Sequence, residues 1–111
     1  MSRENKEVRK IIKETIEKVL RQYDVKPLKI ILFGSRARDN YKGDSDWDIL
    51  IIVENKLSRK DKLLLHAEMT KELAKYFIPC DILIRSPEEI RKFKGWVHSV
   101  TKTALKEGIA L

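Results

Sequence analysis

Apolar positions along the chain switch between helical and strand spacing. From residue 3 to 23, Val8, Ile11, Ile12, Thr15, Ile16, Val19 and Leu20 recur at helical intervals and predict an amphipathic helix, with Pro27 marking its exit. Residues 28 to 33, "LKIILF", form a short, mostly apolar run suited to a buried strand, stopped by Gly34. Residues 47 to 53, "WDILIIV", predict a second strand, and a polar turn follows from Glu54 to Lys56. Ser58, with Asp61 three residues on, marks a helix start; Leu65, Met69, Leu73, Tyr76 and Phe77 are expected to line one face of that helix through about residue 77. Pro79 precedes a third strand, "CDILIR".

In "SPEE" at 86 to 89, Ser86 is placed to cap a short helix, Pro87 to occupy its first position and Glu89 to complete a capping box. Residues 97 to 106 predict a last helix. The order helix, strand, strand, helix, strand, helix implies an α/β (α+β) fold, a small mixed β-sheet with helices packed on one face.

Composition narrows the class. A chain of 111 residues is expected to form one domain, residues 1–111, around one core. Its 42% apolar and 37% charged residues fit a soluble globular protein rather than a disordered one. No apolar run is as long as a membrane span, and no N-terminal stretch resembles a signal peptide. Cys80 is the lone cysteine and has no internal disulfide partner, so a reducing, cytoplasmic location is expected. With 24 basic and 17 acidic residues the formal charge is +7, a surface that attracts nucleotides, nucleic acid or an acidic partner.

The chemistry lies in "ILFGSRARDNYKGDSDWDILIIVE", residues 31 to 54. Residues two apart on a strand share a face, so Asp46 and Asp48 project together, with Trp47 on the other side toward the core. Their Cα atoms would stand roughly 6–7 Å apart, which lets two carboxylates converge on one or two metal ions. Without a cation, one of two like charges so close would tend to hold its proton. The plainer alternative is an acid pair on a solvated strand end, answered by a nearby lysine.

Gly34 and Ser35 directly follow the first strand. Glycine lets backbone approach a phosphate closely, and the following N–H groups with the Ser35 hydroxyl can donate to it. Arg36 and Arg38 add positive charge suited to phosphate oxygens, although an ordinary turn with surface arginines has the same residues. Asp81 opens the third strand; if that strand pairs beside "WDILIIV", three acids meet at the entrances of adjacent apolar strands. Such a set suits two-metal phosphoryl transfer, with Asp81 nearest the attacking hydroxyl.

With these residues assembled, the chain resembles the DNA polymerase beta-type nucleotidyltransferase superfamily. The resemblance rests on Gly34-Ser35 after a strand, ten intervening residues, the strand opening Asp46-Trp47-Asp48-Ile49, and Asp81 on a later strand. "GSRAR…GDSDWDILIIV" and the ending "ALKEGIAL" look like the minimal nucleotidyltransferases of bacteria and archaea, and the likeness covers nearly the whole chain.

The resemblance implies Mg²⁺, as two ions, held by Asp46, Asp48 and Asp81, with Asp81 also helping to activate the acceptor hydroxyl. It implies a nucleoside triphosphate, usually ATP, held by Gly34 and Ser35. Arg36 and Arg38 match basic positions of the family loop and would either touch the nucleotide or brace the loop. The reaction implied is NMP transfer with pyrophosphate release. Larger relatives carry an acceptor-binding domain that this chain lacks, so the acceptor is expected on a partner. The minimal group is commonly paired with a HEPN-type RNase toxin and acts as its antitoxin, some members attaching AMP to a tyrosine of that toxin. The alternative function is a non-catalytic antitoxin that neutralises its partner by binding; a third is transfer to RNA or a small molecule.

Phe33 and Trp47 are expected in the core, and Trp96, near the C-terminal helices, either in the core or in a partner interface. His66 and His98 have no spaced companions, so no zinc site is expected. Cys80 is read as a buried strand residue. The basic stretches "KLSRKDK" at 56 to 62 and "RKFK" at 91 to 94 are read as solvated faces, with RNA contact as the alternative.

Overall fold

A computed structural model describes residues 3–38, 46–93 and 100–111. In chain order the elements are α1 (Arg3–Gln22), β1 (Pro27–Phe33), β2 (Trp47–Val53), α2 (Arg59–Ala74), β3 (Cys80–Arg85), α3 (Pro87–Phe93), α4 (Val100–Glu107) and β4 (Ile109–Ala110). The strands form one mixed sheet in the order β3-β2-β1-β4. β1 pairs antiparallel with both β2 and β4, and β2 pairs parallel with β3. No helix among the described residues is long and apolar enough to cross a membrane.

Helices cover both faces of this sheet, not one as expected. Ile30 and Leu32 of β1, Ile49 and Ile51 of β2 and Ile82 and Ile84 of β3 pack with Ile12, Ile16 and Leu20 of α1 and Leu65, Met69 and Leu73 of α2. The alternate residues Ile31, Phe33, Leu50 and Ile52 form a second cluster, closed by Ala104 of α4 with Ile90 of α3 packed against it. The reason lies in β1 and β2, whose central residues are buried on both sides. A strand apolar on both faces requires cover on both. Phe33 and Trp47 are core residues, as expected, at 7% and 3% exposure.

The helix starts follow their caps. The Ser58 hydroxyl accepts from the Asp61 N–H at 3.1 Å. The Ser86 hydroxyl accepts from the Glu89 N–H at 3.3 Å, while the Glu89 carboxylate accepts from the Ser86 N–H at 3.0 Å, closing the capping box.

The end of α2 departs from expectation. Tyr76 and Phe77 do not extend the buried face; they are exposed, Phe77 at 92%. The helix stops at Ala74 and Phe77 turns left-handed at φ 57°. The Phe77 N–H then donates to the Ala74 carbonyl at 3.0 Å and the Ile78 N–H to the Leu73 carbonyl at 3.2 Å. This is a Schellman ending, in which the chain reverses once and buries Ile78 beside Leu73 instead of the aromatics. α1 ends in the same way, with Asp24 at φ 55° and the Val25 N–H donating to the Leu20 carbonyl at 2.9 Å.

β4 was not predicted, because two exposed residues have no periodicity to detect. The expected helix over 97–106 is present from Val100 to Glu107. Trp96, His98 and the last residue of "RKFK" lie outside the described residues.

Candidate active site

The acids stand at one edge of the sheet because of how β2 is placed between its neighbours. Asp48 is the register partner of Phe33 on β1 and of Asp81 on β3. Neighbouring strands run about 4.8 Å apart and paired residues face the same way, so Asp48 and Asp81 project side by side from the face that α4 covers. Asp46, two residues before Asp48, precedes the strand and is exposed. A bond from the Trp47 N–H to the Pro79 carbonyl, 2.9 Å, ties the start of β2 to the segment leading into β3.

The electrostatics record the crowding. Burial pushes the Asp48 carboxyl above its ordinary value, the negative charges of Asp81 and Asp46 push it further, and Arg38 partly opposes them. Cys80, half-buried rather than fully buried, has its thiol pushed up to about 12 by burial and by Asp46 and Asp48. At that value it is a poor nucleophile near neutral pH.

Gly34 brings the phosphate-type loop to the same place. Its φ is 74°, a left-handed value that favours glycine. A Cβ there would also run into the Asp48 carboxylate, whose carbon would lie 3.2 Å from it. Residues 34 to 38 then form a tight turn, with the Ala37 N–H donating to the Gly34 carbonyl at 3.1 Å and the Arg38 N–H to the Ser35 carbonyl at 3.2 Å. The loop and Asp48 are therefore packed against each other with no side chain between them.

The two arginines part company. Arg36 is 8% exposed, and its guanidinium lies over the Trp47 ring, 4.6 Å from the centroid. It braces the loop against the core by a cation–π contact. Arg38 is half-exposed and faces Glu107 at the end of α4, 3.5 Å away. Glu107 escaped the sequence reading; 69 residues separate it from Arg38, and no local pattern links the two.

The donor set fits a hard divalent cation. Three carboxylates supply only oxygen ligands, and while burial does most to raise Asp48, the further push from Asp81 and Asp46 is what such a cation would relieve. Among the described residues, no three His, Cys, Asp or Glu side chains are gathered closely enough to hold an ion as they stand. A bound ion would draw the remaining ligands from phosphate oxygens and water, as Mg²⁺ commonly does. His66 lines a cleft of about 220 Å³ between α2 and β3, and a second cleft, of about 440 Å³ around Arg21 and Lys26, opens near the start of β1, away from the acids.

Comparison with known proteins gives the family. Residues 14–107 match the family model "Polymerase beta, Nucleotidyltransferase". A Methanocaldococcus jannaschii protein, "Putative protein adenylyltransferase MJ0604", is 35% identical over 92% of this chain and 95% of its own length. A second from that organism, "Putative protein adenylyltransferase MJ0141", is 36% identical over 70% of this chain and 75% of its own.

Two crystal structures share the fold. One, of a toxin–antitoxin with AMP-PNP, has a TM-score of 0.56 and 21% identity over 87% of this chain and 69% of the other. The other, a "putative nucleotidyltransferase from Sulfolobus solfataricus", has a TM-score of 0.60 and 18% identity over 99% and 87%. The matched span includes the Gly34-Ser35 turn, the acids at the start of β2 and Asp81 of β3, and the chain belongs to the polymerase beta nucleotidyltransferase family.

Proposed function

We propose that the protein transfers AMP from ATP to a hydroxyl of a partner protein, a tyrosine of a HEPN-type toxin, and thereby acts as its antitoxin in the cytoplasm. The single observation that carries the chemistry is the side-by-side placement of Asp48 and Asp81, with Gly34 packed under Asp48. The acceptor class is supported by the M. jannaschii relatives named as protein adenylyltransferases. The setting is supported by the fold shared with a toxin–antitoxin structure holding AMP-PNP.

In this reading Asp46, Asp48 and Asp81 hold Mg²⁺, which when bound neutralises phosphate charge and eases ionisation of the acceptor hydroxyl. The Ser35 hydroxyl and the N–H groups after Gly34 donate to the triphosphate. Arg36 holds the loop in place and Arg38 adds positive charge beside it. Asp81 accepts the proton of the acceptor hydroxyl, whose oxygen bonds to the α-phosphorus as the bond to the β-phosphate oxygen breaks and pyrophosphate leaves. The whole chain forms the one catalytic domain.

The test is to incubate the protein with the product of its neighbouring gene, Mg²⁺ and each of the four nucleoside triphosphates, and to read intact mass. AMP added to the partner, and absent with Asp46→Asn/Asp48→Asn, supports the proposal. A stable complex with an unchanged partner replaces it with a non-catalytic binding module.

A further inference from the structure

Glu107 stands at the same end of the sheet as the acids. The strand order β3-β2-β1-β4 sets Asp81 near the start of β3, Asp48 near the start of β2, and the Gly34-Ser35 turn at the end of β1. Glu107 extends this row on the far side of β1. Ile109 of β4 pairs with Leu32 of β1 in antiparallel register, and Glu107 lies two residues before Ile109 as Gly34 lies two after Leu32.

Packed backbone fixes its place there. The Gly108 N–H donates to the Ala104 carbonyl at 2.8 Å, ending α4, and the Leu111 N–H donates to the Ile30 carbonyl at 2.9 Å, holding Leu111 on β1. Ala104 is fully buried against the sheet. Between these two bonds, Gly108 lies so close to β1 that a Cβ on it would run into Ile31 and the Ala104 carbonyl. The Glu107 side chain is half-exposed, but the backbone that carries it has little room to shift.

The side chain meets Arg38. Nη1 of Arg38 lies 3.5 Å from Oε2 of Glu107, and the Arg38 charge is near enough to Asp48 to oppose the rise in that carboxyl. The Lys10–Glu14 and Lys75–Glu72 pairs join residues within one helical turn, whereas this one ties the loop after β1 to the end of α4. An arginine on an exposed turn samples many rotamers, and fixing them costs entropy when a ligand binds. A contact through Nη1 engages one end of the guanidinium, and its other N–H donors suit phosphate oxygens. Resting on the nucleotidyltransferase reading above, we infer that Glu107 is a positioning residue that holds the Arg38 guanidinium beside the Gly34-Ser35 turn before the triphosphate arrives. Gly108 and β4 in turn hold Glu107, so the end of α4 serves the nucleotide site without touching the nucleotide.

The test titrates ATP with Mg²⁺ into the full chain by calorimetry and follows the fold by urea denaturation. Glu107→Gln keeps the side-chain length and removes the charge, while Glu107→Ala removes the contact. Each should weaken ATP binding about two- to fivefold, the range an exposed ion pair can supply, with little change in urea midpoint. In an Arg38→Ala background the same substitutions should leave ATP affinity within about 1.5-fold, because no guanidinium remains to be positioned. Glu107→Asp, which keeps the charge, should recover part of the affinity lost in Glu107→Ala. An equal loss with and without Arg38 makes Glu107 merely structural and overturns the positioning role. Unchanged ATP binding in Glu107→Gln overturns it too, and so does tighter binding, which would mean that the carboxylate repels the phosphates; both leave the enzyme reading intact. Failure of the wild-type protein to bind ATP overturns the enzyme reading, and the positioning role with it.

Discussion

The Asp48 carboxylate occupies the space in which residue 34 would carry its Cβ. Gly34 is therefore needed twice, once for its left-handed φ of 74° and once for contact with an acid of the site. Gly34→Ala should cost about 1–3 kcal/mol in urea denaturation and abolish nucleotide transfer. Asp48→Ala removes one of the two conflicts, so the double variant should lose less stability than the sum of the singles. A double-mutant cycle measures that coupling.

Arg36 and Arg38 differ by only two positions and should fail in different ways. Arg36 is buried over Trp47, so Arg36→Ala should lower stability by about 1–2 kcal/mol through lost packing and cation–π contact. The Arg38–Glu107 pair is half-exposed and screened by solvent, so Arg38→Ala should shift stability by less than about 0.5 kcal/mol. It should instead raise the KM for nucleotide several-fold. Denaturation and steady-state kinetics on both variants separate the roles.

Asp81 stands on β3, one strand further from the Gly34 loop than Asp48. Asp81→Asn should reduce transfer by about 10²–10⁴-fold, with a smaller change in nucleotide affinity than Asp48→Asn produces. Calorimetric titration of ATP into each variant, beside transfer rates, checks the order. Equal losses of nucleotide affinity would place both acids on the phosphate side.

Glu89 joins a capping box to a partly buried ion pair with Lys62, both side chains about one-fifth exposed. Burial alone would raise its carboxyl, but the bonds from Lys62 and Ser86 outweigh it and hold it below the usual carboxylate value. A lowered folded pKa means that the unfolded chain binds the proton more readily, so stability falls as pH drops through the carboxylate range. Glu89→Gln keeps an acceptor for the Ser86 N–H and loses the ion pair. It should be about 1 kcal/mol less stable than wild type at pH 7, and the difference should vanish once pH falls below the folded Glu89 value. Urea midpoints followed as a series from pH 7 downward read both.

Much of the site was legible because its residues are local to strands. "DWDIL" places Asp46 and Asp48 on one side and Trp47 on the other by the two-residue period alone, and Trp47 is in the core. Gly34 was read as a phosphate-approach glycine; its packing against Asp48 depends on the pairing of β1 with β2 and could not be read locally. The arginines show the same limit. Both are charged residues in one loop, and only the location of Trp47 and Glu107 in space buries one and leaves the other half-exposed.

The order and type of the main elements, the caps at Ser58 and Ser86, and the three acids at strand entrances followed from the sequence by itself, since each depends on residues within a few positions of one another. Tertiary structure decided the rest. It set α4 on the second face of the sheet, added β4 beside β1, and turned Tyr76 and Phe77 outward at the end of α2. Helical periodicity counted those aromatics as core, but the Schellman reversal buries Ile78 beside Leu73 in their place. Which apolar side chain is covered depends on where the chain turns and what packs there, and hydrophobicity along the sequence carries neither.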